Sequence, residues 1–137
     1  MKYTLGSYGY TWQEAADLCE ARGETLPILR SALELEEICA LSPDTYVWLG
    51  ITKGAQPDTL INYLDQSPAP YLENLLIVRE GSPGNCMSLV CFPENTTIYG
   101  GTYGWVYGKY GYLNVWECDM KRTYQNYVCE NPRKFLF

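Results

Sequence analysis

The residues best able to do chemistry in this 137-residue chain are its six cysteines, whose spacing separates two outcomes. An even count in a short chain reads as a disulfide framework made in an oxidising compartment, whereas structural zinc takes Cys and His in paired C-x₂-C knuckles. The separations Cys19 to Cys39, Cys86 to Cys91 and Cys118 to Cys129 contain no such knuckle, and the chain has no His. Disulfides are therefore expected. The missing His also removes the commonest general base, no Gly-rich phosphate loop is present, and acid pairs such as Asp58 and Asp65 are too ordinary to imply hydrolysis. The expectation is binding, not catalysis.

Side chains suited to binding concentrate in a Tyr, Gly and Trp tract over residues 99–116, within a chain that carries 13 Tyr and 4 Trp. Tyr and Trp give rigid, amphipathic contact area with few torsions to freeze, and sugar rings stack on the same faces. Tyr103, Trp105 and Tyr107 alternate, which suits a hairpin over about 99–116 with aromatics on one face. Tyr99, Tyr103, Trp105, Tyr107, Tyr110 and Tyr112 are the ligand-binding candidates, while Trp12, Trp48 and Trp116 are read as packing residues. Asn95-Thr96-Thr97 is a glycosylation sequon, which makes Asn95 a candidate surface glycan site.

Charge narrows the partners. A net charge of −6, with Lys and Arg mostly single, repels phosphate backbones and anionic lipid, so nucleic acid and membrane surfaces are poor partners. With 47% hydrophobic and 19% charged residues, the chain reads as one globular domain over 1–137. No run reaches transmembrane length, and Met1 to Ser7 offers no apolar leader. The expected origin is a trimmed secreted protein or an extracellular domain of a larger one.

Local signals place the elements. Thr11-Trp12-Gln13-Glu14 reads as a capping box opening a helix, with Trp12, Ala15, Ala16 and Cys19 on one face and Gly23 ending it. A second box, Ser31-Ala32-Leu33-Glu34, opens another helix that buries Leu35, Ile38 and Cys39 and stops at Ser42-Pro43. Tyr46 to Ile51 is a short apolar run expected as a buried strand. Residues 52–85, broken by Gly and Pro, read as a long loop with a hairpin around Asp65-Gln66, and long ordered loops are usually functional. Strands return at Asn85 to Phe92, where Cys86 and Cys91 point to opposite faces, and at Tyr124 to Glu130. Helices followed by strands, without βαβ alternation, predict an α+β domain.

The order of these parts resembles a C-type lectin-like domain: Thr11-Trp12 with Ala15 and Cys19, then Trp48-Leu49-Gly50-Ile51, Asn85-Cys86-Met87-Ser88-Leu89, Cys118, and Tyr127-Val128-Cys129-Glu130. The likeness covers nearly the whole chain. It implies two helices with antiparallel sheets, a long loop region and a disulfide staple, in which Cys19 bridges Cys129 and Cys86 bridges Cys118. Cys39 and Cys91 lie outside that pattern. Three explanations compete for them: a third bridge, buried thiols, or a link to another chain. The third bridge is the expectation, with a disulfide-linked or non-covalent dimer behind it.

Family members that bind sugar hold calcium with a Glu-Pro-Asn or Gln-Pro-Asp triplet in the long loop and a Trp-Asn-Asp triplet before the third framework cysteine. Counted back from Cys118, the second triplet is Leu113-Asn114-Val115 here, so an apolar residue stands where a carboxylate is needed. The loop position reads Asn74 to Arg79, largely apolar. Gln56-Pro57-Asp58 falls too early in the loop and reads as a turn, and Pro93-Glu94-Asn95 has the wrong order. Asn114 remains a candidate ligand contact. The implied function is an extracellular recognition module that binds a protein ligand without calcium, with no metal or other cofactor. The alternative is a lectin that binds glycans by aromatic stacking or through an atypical calcium site using Asp58, Asp65, Glu73, Glu80 or Glu117.

Overall fold

The computed structural model describes residues 2–43, 45–55, 60–69, 76–78, 85–91, 97–98, 101–102, 112–116, 118–119 and 125–131. In chain order the elements are β1 (Tyr3–Leu5), α1 (Trp12–Ala21), α2 (Ala32–Leu41), β2 (Tyr46–Lys53), β3 (Leu60–Asn62), β4 (Leu76–Val78), β5 (Cys86–Val90), β6 (Thr97–Ile98), β7 (Gly101–Thr102), β8 (Tyr112–Trp116) and β9 (Gln125–Glu130).

Helix α1 starts where the sequence places it. The Thr11 N–H donates to the Glu14 carboxylate at 3.0 Å and the Glu14 N–H donates to the Thr11 hydroxyl at 3.1 Å, so both halves of the box form. Gly23, at φ 72°, supplies the left-handed residue that ends it. At α2 only half of the expected box forms. Ser31 accepts from the Glu34 N–H at 3.3 Å, but the Glu34 carboxylate takes the Arg30 N–H at 2.7 Å and the side chains of Lys2, Tyr3 and Arg30. A second task, gathering cations and donors from β1 and the chain before α2, draws that carboxylate away.

The main sheet runs β1-β9-β2-β5-β8-β4, with β3 paired to the far end of β2. It is mixed rather than wholly antiparallel, because β2 pairs β9 and β4 pairs β8 in parallel. The apolar run of β2 has a simple cause: the strand is buried on both faces. Val47, Leu49 and Ile51 join Leu35, Ile38 and Met87 in one core, whereas Tyr46 and Trp48 join Trp12, Ala15, Ala16 and Tyr127 in the other. Between α2, β5 and β9 lie buried polar groups that satisfy one another: Asn126 donates to Ser42 at 2.7 Å, Ser42 contacts Thr45 at 2.7 Å, and Gln125 donates to Ser88 at 3.1 Å.

Three disulfides fasten this arrangement: Cys19–Cys129, Cys39–Cys91 and Cys86–Cys118. Cys39 and Cys91 therefore join each other across 52 residues, tying α2 to the chain just past β5. In the chain-entropy account such a loop contributes about 4 kcal/mol.

One expectation needs correction. The described ends of the 99–116 tract, 101–102 and 112–116, do not pair with each other as the arms of one hairpin would, and 99–100 and 103–111 lie outside the described residues. The short β6–β7 pair spans Thr97 to Thr102, and the end of the tract, β8, lies inside the main sheet between β5 and β4. The five residues of β8 all pair with β5, from Tyr112 opposite Val90 to Trp116 opposite Cys86.

Candidate recognition site

The end of the sheet opposite β1 holds β4 and β8, which contain two stretches that the sequence reading compares with calcium motifs. Parallel pairing sets Leu76 opposite Tyr112, Ile77 opposite Leu113 and Val78 opposite Asn114. On the other flank Asn114 is opposite Ser88 and Val115 is opposite Met87, and Ser88 and Met87 are both buried. The apolar stretch of the long loop and the Leu113-Asn114-Val115 stretch are thus neighbouring strands. Across both, one side chain, the Asn114 amide, is of a type that ligates a hard cation, and no carboxylate is present. Among the described residues of these two strands, one neutral amide is too small a donor set for calcium. Among the described residues no group of three acidic or Cys side chains is arranged to hold a metal.

Of the other sequence candidates, Tyr112 and Asn114 lie on β8, whereas Tyr99, Tyr103, Trp105, Tyr107, Tyr110 and Asn95 lie outside the described residues. So do Gln56-Pro57-Asp58, Pro93-Glu94-Asn95, Glu73, Glu80 and Glu117. Asp65 is exposed and its carboxylate is held below the usual range by hydrogen bonds from the Ser67 hydroxyl at 2.6 Å and N–H at 3.0 Å. Its work is to shape the turn, where Asn62 likewise accepts from the Leu64 N–H at 2.9 Å. The turn around Asp65-Gln66 expected from sequence is present, with Gln66 at φ 66°.

Sequence reasoning missed the residue that seats this turn. Tyr63 follows β3, its N–H donates to the Gly50 carbonyl at 3.0 Å, and its hydroxyl accepts from the Leu26 N–H at 3.1 Å. Its ring meets Trp12 edge to face at 5.3 Å and 84°. Gly50 makes room for it: a Cβ there would stand 2.6 Å from the Tyr63 ring and 2.7 Å from Ile28 Cδ1. Burial raises the Tyr63 phenol pKa, the Leu26 bond opposes the rise, and the Glu20 carboxylate adds to it. Beside this latch lies a cleft of about 430 Å³ between α1 and the turn. The available signal was a polar stripe on α1, Gln13, Asp17 and Glu20, at helical spacing, with Glu24 following the helix end.

A second charged cluster ties β1, α2 and β9 together. Arg30 reaches Glu130 at 3.1 Å and Glu34 at 3.4 Å, and Lys2 pairs with Glu34. Burial of Glu130 raises its pKa, since the Arg30 bond and charge return less than desolvation takes at a residue 2% exposed. Burial lowers the Arg30 pKa, but its side chain is 40% exposed, and Glu130 and Glu34 together more than offset that effect.

No family model and no curated protein matches the sequence. Solved structures do match in shape. The carbohydrate-recognition domain of the mouse scavenger receptor C-type lectin is 23% identical, with 93% of this chain and 85% of that one covered at a TM-score of 0.62. The C-type lectin domain of murine dendritic cell inhibitory receptor 2, solved in complex with an N-glycan, is 17% identical over 93% and 87% of the two chains, at 0.63. The cow CD23 carbohydrate-recognition domain, solved in the presence of an oligosaccharide, is 20% identical over 94% and 87%, at 0.63. Two helices, a mixed sheet, three disulfides and these likenesses lead to one conclusion about architecture: the chain has the C-type lectin-like fold.

Proposed function

We propose that the chain is an extracellular recognition module that binds a protein ligand without calcium, through its long loop and the aromatic tract. The observation that carries this reading is the register of β4 with β8. Leu76 to Val78 lies along Tyr112 to Asn114, and Val115 follows opposite Met87, where a calcium-dependent site would need carboxylates. Each missing carboxylate subtracts charge as well as a ligand, and hard calcium needs six to eight oxygens. The aromatic load of the tract supports recognition, since Tyr and Trp anchor interfaces at low entropic cost. Three disulfides support an oxidising, extracellular setting. Among the described residues no helix is long and apolar enough to cross a membrane.

A second reading, glycan binding, is favoured by the similar domains solved with an N-glycan or an oligosaccharide. A glycan array run with calcium and again with EDTA separates the two. The protein-ligand reading predicts no hits in either condition. Hits lost in EDTA would establish an atypical calcium site, and hits retained in EDTA would establish stacking on the tract.

A further inference from the structure

The described lining of the cleft beside α1 comes from α1, the chain just after it, the end of β2 and the turn after β3. Two of its walls are the rings of Trp12 and Tyr63, both fixed in place. The Trp12 indole N–H donates to the Leu49 carbonyl at 2.7 Å, and the Tyr63 hydroxyl is held by Leu26. Asp17 and Glu20 of α1, with Glu24 just beyond it, stand around the same space, and among the described residues no Lys or Arg lines it.

Surface carboxylates are ordinarily solvated and mean nothing by themselves. These three differ in surrounding a concavity with aromatic walls, and among the described residues none has a basic partner within ion-pair distance. Among the described residues Asp17 accepts from the neutral Gln13 amide at 2.9 Å and Glu24 from the Thr4 hydroxyl at 3.2 Å, neither of which offsets a charge. An aromatic wall with an acidic rim is complementary to an organic cation on an aliphatic stem. The ring quadrupole and apolar surface take the stem and charge, and the carboxylates take the N–H donors. Phosphates and anionic lipids are repelled by the same field.

We infer that this cleft receives a lysine or arginine side chain of the protein ligand. The inference deepens the protein-ligand reading and rests on it for the partner being a polypeptide, while the cation chemistry rests on the cleft itself.

The test uses N-acetyl-arginine amide and N-acetyl-lysine amide, one cation each, so that multivalent attraction to an acidic protein plays no part. Each is titrated into the full chain and followed by backbone amide and Trp12 indole resonances. Saturable shifts centred on Trp12, Asp17, Glu20 and Tyr63 are expected, at a Kd on the order of millimolar, with none from N-acetyl-glutamate. The exposed pair Asp17→Asn with Glu20→Gln should weaken binding about fivefold or more. Glu36→Gln with Asp119→Asn, which removes two equally exposed charges elsewhere, should change it less than about twofold. Thermal melting confirms that each variant is folded. Equal weakening in both variants would reduce the effect to the general negative field, and scattered or absent shifts would remove the site; either result overturns the inference. Calcium dependence is read separately, so if calcium stabilises the domain while the cleft still binds the probes, the calcium-free reading fails and the cleft stands.

Discussion

The two edges of the main sheet are held by different physics. At the β1 edge, the Cys19–Cys129 bridge, the β1–β9 ladder and the Lys2, Arg30, Glu34 and Glu130 cluster fasten the chain ends over a buried face. At the β4 edge, a three-residue apolar strand pairs with β8, and beside β2 the turn after β3 is latched by Tyr63 against Trp12 and Gly50. The first edge is covalently and electrostatically fixed. Among the described residues the β4 edge is held by three residues of parallel pairing to β8. The difference matches the proposed division of the domain into a rigid frame at the β1 edge and a loop-bearing edge that meets the partner.

Removing bridges tests that contrast most strongly. Replacing Cys19 and Cys129 by Ala opens a closure of 110 residues and should cost about 5 kcal/mol in urea unfolding. Replacing Cys86 and Cys118, a closure of 32 residues nearer the loop, should cost about 4 kcal/mol. A reversed order would mean the β1 edge is not the firmer of the two. Gly50→Ala should cost about 1 to 3 kcal/mol, because the new methyl must displace the Tyr63 ring or Ile28. Hydrogen exchange should then speed up at Tyr63 and Leu26 ahead of β9; uniform speeding would deny the latch a local role. Thr11→Ala, which breaks the capping box, should cost about 1 kcal/mol by the same unfolding assay.

The smallest effect is one of pH. Glu130 has its folded pKa raised above the ordinary 4.5, so the folded state holds the proton more tightly. Its contribution to stability is full below pH 4.5 and is lost as pH rises through the folded value. In Glu130→Gln that component disappears, and the melting profile between about pH 4.5 and neutrality should rise less on acidification than in the parent. An identical profile would place the titration elsewhere.

The frame was legible in the sequence because its signals are local or covalent. Thr11 and Ser31 announce the helices, Gly23 ends one, and the cysteines fit a known framework. The Cys39–Cys91 partnership was one of three outcomes open to those residues, since spacing alone does not select among connectivities. The loop edge was less legible for a physical reason. Tyr63 is seated by Leu26 and Gly50, 37 and 13 positions away, and β8 takes its register from β5, so neither role has a local signature. Glu34 shows the same limit: read as half of a capping box, it is instead the acceptor for β1. At Val115 the sequence shows an apolar residue where the resemblance calls for a carboxylate, because a single residue type decides whether that position offers a ligand.

The central claim is that the loop edge recognises without calcium, and melting of the intact domain with calcium and with EDTA addresses it most directly. A cation bound only by the folded state at about a hundred times its Kd adds about 2.7 kcal/mol, which for a domain this size raises Tm by several degrees. The account predicts the same Tm in both conditions, within about 1 °C by that scale. A rise of several degrees with calcium, reversed by EDTA, would contradict it.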